Sequence, residues 1–378
     1  MNTISRRNWF KSTLALSSGL AFTPWMNLDA APMSRAEQEF FSVRKNNGGK
    51  VRLNSNENPY GPSDKARKAV VNILGEGNRY QFDALKAFKQ LLADKEGVDP
   101  SYIAVGSGSG ELLCQTGIAY GLEGGSVLSG YPTFPLLQNF AVSMKARWDK
   151  VDLNEKLEFD YDKLAAAIKP DTRLVVVCNP NNPTGTYVDP AKVRAFCQEV
   201  SKTVPVFADE AYLEFMDAKD SSVIDLVKSG ADVIVSRTFS KIYGLAGLRI
   251  GYIVARPELI KKVSSYGDEI SASQTAIAAA TASLGDESFM KLVRTKNAEA
   301  RQVLTDYLEK KKYLHGKSHI NVVFFPAPSD GKTILAKCEE KGYLIRVWDY
   351  QDKEWCRVSI GTADEMKGFV KAFEEVIS

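Results

Sequence analysis

Four short strings place reactive side chains just past apolar runs, which is where an open α/β sheet presents groups to a ligand. Arg237-Thr238-Phe239-Ser240-Lys241 offers hydroxyls and an amine, and Gly244-Leu245-Ala246-Gly247-Leu248-Arg249 follows with a guanidinium. An ammonium in such a place is costly to bury unless it is used, so Lys241 reads as a nucleophile or proton carrier. Asp209-Glu210-Ala211-Tyr212 sets a carboxylate and a phenol three residues apart, and Asn179-Pro180-Asn181-Asn182-Pro183-Thr184-Gly185 fixes amides in a proline-bounded turn. Gly106-Ser107-Gly108-Ser109-Gly110-Glu111 is a glycine-rich strand-to-helix turn whose free N–H groups suit a phosphate. It matches neither the Walker string nor a full dinucleotide fingerprint. The two histidines, His315 and His319, lack the helical His-Glu pairing of a zinc protease, and no metal is expected. The pattern points to an enzyme whose reactive group is carried on a cofactor.

The elements that must hold these strings are legible as alternation. Apolar, β-branched runs at Tyr102–Val105, Arg173–Cys178, Val204–Ala208, Asp232–Ser236 and Arg249–Ala255 suit parallel strands buried on both faces. Helical stretches such as Asp189–Lys202, with Pro190 in its first turn, lie between them. The expected fold class is therefore α/β, with a mostly parallel central sheet. Beyond about residue 265, charged helices and the runs Ile320–Phe325, Gly342–Val347 and Cys356–Ile360 predict a smaller α+β lobe. The expected organisation is a leader over 1–33, an arm over 34–61, a large domain over 62–265 and a small domain over 266–378.

The strings Asn181-Asn182-Pro183-Thr184-Gly185, Asp209-Glu210-Ala211-Tyr212, and Ser240-Lys241 followed by Gly247-Leu248-Arg249 strongly resemble the fold-type I pyridoxal-phosphate aminotransferases. Leu53-Asn54-Ser55-Asn56-Glu57-Asn58-Pro59 and Asn78-Arg79-Tyr80 resemble the histidinol-phosphate aminotransferase branch, and the similarity runs from about Val51 to the C-terminus. The resemblance implies that Lys241 holds pyridoxal 5'-phosphate covalently and then shuttles a proton, while Asp209 pairs with the ring nitrogen. It implies that Asn182 and Tyr212 bond the phenolic oxygen and that Phe134 stacks on the ring. Ser109, Gly110, Thr238, Ser240 and Arg249 would hold the phosphate. It further implies that Tyr80 reaches the phosphate site of a partner subunit, making the active unit a homodimer. Arg357 would grip the substrate α-carboxylate, and Arg346 a second anion. Two departures from the branch leave the amino donor open: Phe40-Phe41-Ser42-Val43 stands where a Pro-Tyr pair is usual, and Gln81-Phe82 follows Tyr80.

At the N-terminus, Ser5-Arg6-Arg7-Asn8-Trp9-Phe10-Lys11 precedes a short, weakly apolar stretch and closely resembles a twin-arginine export signal. A periplasmic or exported protein, handled by the twin-arginine machinery after folding around its cofactor, is expected. With 49 Lys and Arg against 46 Asp and Glu, the formal charge of +3 gives no footprint for nucleic acid. No apolar run reaches the length of a membrane span. Five cysteines without a C-x-x-C pair are no disulfide scaffold, and Cys114, Cys178 and Cys197 are expected to be buried small hydrophobes. The expected reaction is transfer of an amino group between an amino acid or amine and a 2-oxo acid. The alternatives are a lyase or decarboxylase on the same cofactor, and a non-catalytic binding protein that keeps the fold.

Overall fold

The structure, a computed structural model, describes residues 49–216 and 221–377. The expected leader and the Phe40-Phe41 departure lie outside the described residues.

The strands are β1 (Val51–Arg52), β2 (Ile103–Gly106), β3 (Ser126–Tyr131), β4 (Arg147–Asp152), β5 (Thr172–Cys178) and β6 (Val206–Asp209). After them come β7 (Val233–Thr238), β8 (Gly251–Val254), β9 (Val322–Pro326), β10 (Tyr343–Leu344), β11 (Arg346–Tyr350) and β12 (Lys353–Ser359). Seven of them form one sheet in the order β2-β8-β7-β6-β5-β3-β4. Strands β2, β6, β7 and β8 are buried along their whole length, and their apolar runs give way to polar residues only at the carboxyl ends of β6 and β7, as a sheet with both faces covered requires. Four neighbouring pairs are parallel, but β8 runs antiparallel to both β2 and β7. The sheet is mostly parallel, as expected, and β8 is the exception among the five apolar runs. The link from β7 to β8, residues 239–250, contains no helix that could carry the chain back across the sheet, so the chain must turn back on itself. The reversal puts the end of β7 and the start of β8 at the same edge as the carboxyl ends of β2, β3, β5 and β6.

Two strands of this sheet escaped the sequence reading. In β3, the polar residues Ser126 and Ser129 interrupt the apolar run, yet both are buried. Ser129 accepts a hydrogen bond from the Trp148 indole N–H at 2.8 Å. The outer strand β4, with Arg147, Asp149, Lys150 and Asp152, is charged in the way edge strands blunt unwanted pairing. Two further boundaries shift. Arg249, placed in a strand by its sequence, sits in a left-handed turn (φ 61°) before β8 begins at Gly251. The run Gly342–Val347 divides at Ile345: β10 pairs in parallel with β1, whereas β11 joins the antiparallel sheet β11-β12-β9.

That second sheet packs with the helices Glu287–Lys310, Gly331–Glu340 and Ala363–Ile377 around Leu304, Phe325, Phe369 and Phe373. Cys178 and Cys197 are buried as expected, Cys114 is half-buried, and all five cysteines are free thiols. Among the described residues, no helix is long and apolar enough to cross a membrane.

Candidate active site

A cavity of about 340 Å³ opens where the carboxyl edge of the large sheet meets β11 and β12. Of the thirteen residues singled out in the sequence, twelve line it. Tyr80 does not. It is 76% exposed, in the turn before the helix Phe82–Glu96, with its ring 5.6 Å from that of Phe82.

One end of the cavity is built to receive an anion. Gly108, at φ 79°, turns the chain from β2 into the helix Ser109–Gly121 and caps that helix without a side chain. A Cβ on Gly108 would lie 2.3 Å from Arg249 Nη2, and one on Gly251 would lie 2.3 Å from the Ser109 nitrogen. The two glycines let the helix start and Arg249 approach each other closely. Thr238 donates its hydroxyl proton to Ser240 Oγ at 3.0 Å, and Arg249 donates to the Ala246 carbonyl at 3.1 Å. Glu111, in the same first helical turn, is taken up by Ser107 N–H and Ser271 O–H instead of facing the cavity. Helix dipole, hydroxyls and guanidinium thus converge on one point.

Asp209 sits at the end of β6, buried, with the Ala211 N–H donating to its Oδ1 at 3.1 Å. Burial pushes its carboxyl up to about 6, against the pull of that N–H and of Lys241. Lys241 donates from Nζ to the carbonyls of Asn56 (3.3 Å) and Ser55 (3.4 Å). It lies 5.5 Å from the centre of the Tyr212 ring. Burial, helped by the positive charges of Arg357 and Arg249, pushes its amine down to about 8. Tyr212 is buried and its hydroxyl is held well above the ordinary phenol range, first by burial.

The opposite wall carries two guanidinium groups. Arg357 on β12 and Arg346 on β11 are direct partners in the antiparallel register. Arg357 is buried, donates to Asn182 Oδ1 at 3.2 Å and to the Asn54 carbonyl, and stacks 5.8 Å from the Trp348 ring centre. Burial and the nearby charge of Arg346 bring it down to about 10, partly opposed by Tyr212. Among the described residues, no carboxylate lies within ion-pair distance of Lys241, Arg249, Arg346 or Arg357. Like charges set directly opposite each other are unfavourable unless an anion joins them.

The sequence reading missed three residues here. Asn56, Ser359 and Asn321 join the two walls by buried hydrogen bonds. The string containing Asn56 was recognisable, but nothing in it announces which amide turns inward.

This combination defines a class: a lysine amine, a buried carboxylate and a phosphate-sized anion cradle around one cavity on a mostly parallel sheet. The profile of the family "Aminotransferase class I and II" matches residues 48–373, and the chain belongs to that family. More narrowly, it is similar over 337 residues to the histidinol-phosphate aminotransferase of Moorella thermoacetica, at 35% identity, covering 87% of this chain and 86% of that one. Histidinol-phosphate aminotransferase 1 of Cupriavidus pinatubonensis is 34% identical and covers 92% of each chain. The crystal structure of histidinol-phosphate aminotransferase from Sinorhizobium meliloti in complex with pyridoxal-5'-phosphate superposes with a TM-score of 0.79 at 27% identity, covering 94% and 98%. The protein is a pyridoxal-phosphate-dependent transaminase of the histidinol-phosphate aminotransferase-like kind. The cavity fits that cofactor: its buried carboxylate favours a cationic ring nitrogen, and its anion cradle suits a phosphate at the other end.

Proposed function

We propose that the cavity holds pyridoxal phosphate with its ring nitrogen on Asp209, its phenolic oxygen between Asn182 and Tyr212, and its ring against Phe134. The phosphate then rests on the Ser109 and Gly110 end of the helix, with Thr238, Ser240 and Arg249 as further donors. When bound, the cofactor supplies an electron sink that acidifies the Cα–H bond of the amino donor. Lys241 would anchor the cofactor and, once freed by the donor's amine, would carry the proton from the donor's Cα to the cofactor's C4′, two bonds away. An amine lowered to about 8 is partly neutral near physiological pH, as a proton carrier needs. The carboxylate of Asp209 stays ionised once a cation faces it.

The amino donor carries an anionic group for the Arg346 and Arg357 pair, a carboxylate or a phosphate, and a 2-oxo acid takes the nitrogen away. The observation that carries this reading is the cross-strand pair of guanidinium groups with no carboxylate of their own. The relatives named histidinol-phosphate aminotransferase support a phosphorylated donor. The test is the visible absorbance of the cofactor-loaded protein while histidinol phosphate, aromatic amino acids, glutamate and aspartate are added singly. Loss of the band with one donor, reversed by a 2-oxo acid, is expected. A band that no donor changes would favour a lyase or decarboxylase. No band with added cofactor would leave only a binding protein.

The active unit in this reading is a homodimer, with Tyr80 crossing to the partner's phosphate site. Tyr80, Phe82 and Leu74 expose a large apolar surface at 76%, 58% and 60%, more than a solitary chain gains from leaving wet. Gln81, in place of the branch's usual residue, donates to the carbonyls of Ile270 and Ala272 and so ties the Tyr80 turn down. Sedimentation at micromolar concentration should give twice the chain mass; a monomer would remove the Tyr80 role. Export rests on the Arg6-Arg7 string, and fractionation of cells carrying Arg6→Lys with Arg7→Lys should move the protein out of the periplasm.

A further inference from the structure

Asn56 is 1% exposed and held at φ 52°, in the left-handed region that asparagine tolerates better than most residues. It follows β1 and stands between the two walls of the cavity. Each of its polar groups is committed. Its N–H donates to Ser359 Oγ at 2.8 Å, and the same hydroxyl returns its proton to Asn56 Oδ1 at 2.7 Å. Its carbonyl accepts from Asn321 Nδ2 at 3.0 Å and from Lys241 Nζ. The two protons on Nδ2 go to the Tyr212 hydroxyl oxygen at 2.9 Å and to Asn182 Oδ1 at 3.3 Å.

The direction of these bonds is fixed by chemistry. Arginine only donates, so the Asn182 atom facing Arg357 must be its oxygen. The Asn56 atom facing that oxygen must then be nitrogen, and its other end must be the oxygen that Ser359 meets. Tyr212 therefore receives a proton from Asn56 and has its own to give elsewhere. Asn182, whose oxygen already accepts from Arg357 and Asn56, presents its NH₂ group away from both. We propose that Asn56 is a positioning residue that obliges Tyr212 and Asn182 to act as hydrogen-bond donors toward the cofactor's phenolic oxygen. It thereby fixes that oxygen's charge. The proposal rests on the placement of pyridoxal phosphate given above.

The charged and titratable groups around this relay are Arg357 on β12 with Arg346 opposite it on β11, Asp209 at the end of β6, Cys178 at the end of β5, Lys241 after β7, Tyr212, and Glu57 next in sequence. None of them can replace the amide, which alone donates to Tyr212 and Asn182 at once. Losing the relay should leave the phenolic oxygen less well stabilised as an anion. The pH at which the bound cofactor's visible band changes should then rise by about one unit, the worth of a single hydrogen bond.

The experiment is a pH titration of that band in the holoenzymes of the parent, Asn56→Gly, Asn56→Asp, Tyr212→Phe and the Asn56→Gly/Tyr212→Phe double variant. Glycine keeps the left-handed backbone, and aspartate keeps the shape but accepts where asparagine donates, so at least one variant tests the relay if the other fails to fold. Circular dichroism and thermal melting of the cofactor-free proteins report folding independently of activity. Upward shifts in both Asn56 variants, less than additive with Tyr212→Phe, are expected. An unmoved transition in Asn56→Gly while Tyr212→Phe shifts would overturn the proposal, and so would full additivity. If Tyr212→Phe itself leaves the band where it was, the placement of the cofactor is what fails.

Discussion

Two places in this protein bury several charges, and they are neighbours in sequence. Asp209 faces the cavity, whereas Glu210, the next residue, turns to Arg237 on the adjacent strand β7. There Arg237 meets Glu210 at 2.9 Å and Glu214 at 3.1 Å, and Ser222 bridges Arg237 and Glu210 with bonds of 3.0 and 2.8 Å. Beyond them, Tyr252 donates to Glu96 at 2.6 Å, and Glu96 lies 3.3 Å from Lys95. Burial alone would push the Glu96 carboxyl up, but Arg237, Lys95 and Tyr252 together hold it below the usual range. Each charge in this cluster has an opposite within reach. The cavity has a lysine and three arginines against two carboxylates, Asp209, held up near 6, and Glu57, which is paired with Arg52. A buried charge left without a partner costs several kcal/mol, so the balanced cluster serves the fold and the unbalanced one serves molecules brought to it.

The sharpest way to break this contrast is Lys241→Ala. Turnover should fall by about four orders of magnitude, and cofactor should no longer resist dialysis. The cofactor-free variant should melt no lower than the parent, because the amine removed is one whose burial disfavours its charged form. Full activity would sink the assignment. Arg237→Met should do the reverse, costing about 3–5 kcal/mol of stability in denaturant titrations by stranding Glu210 and Glu214. A neutral result there would mean that the cluster is not the structural one.

Asp209 gives a pH test of intermediate size. Its folded value near 6 lies above the unfolded carboxyl value, so its contribution to folding is complete below about pH 4 and lost as pH rises through 6. The cofactor-free protein should therefore lose about 3 kcal/mol over that interval from this group. Melting curves of Asp209→Asn should be flatter between pH 4 and 6; an unchanged slope would assign the effect elsewhere. The smallest expected effect is Arg357→Lys, which keeps the charge but not the fork. It should lower kcat/KM about thirtyfold, or about 2 kcal/mol, and leave the melting temperature within a degree or two.

The same contrast explains what the sequence could reveal. Groups that act on a ligand stand at strand ends in recognisable strings, so Lys241, Asp209, Asn182, Arg249 and Arg357 were legible, and all reach the cavity. Groups that act on other groups were not. Asn56 lies hundreds of residues from Asn321 and Ser359 and meets them only through the fold, and a lone asparagine or serine carries no mark of its partner. Arg237 was visible as part of a string but not as the centre of an ion cluster. The fold shows a similar division. Most strands of the large sheet announce themselves by an apolar run, while the edge strand β4 is charged and β3, although an inner strand, is broken by serines. The reversal of β8 depends on which neighbours a strand chooses, and that is a property of the whole sheet.

That reversal also bears on the order of assembly. The pairing of β7 with β8 closes only residues 239–250, whereas the pairing of β2 with β8 joins segments on either side of more than a hundred residues. The short closure is the cheaper in chain entropy and is favoured early. Lys241 and Arg249, which lie within it, are thus brought near each other by local chain geometry. Asp209, Ser109 and Arg357 arrive by long-range contacts. A nascent chain would fix the spacing between its reactive amine and its anion-gripping guanidinium before the rest of the cavity exists around them.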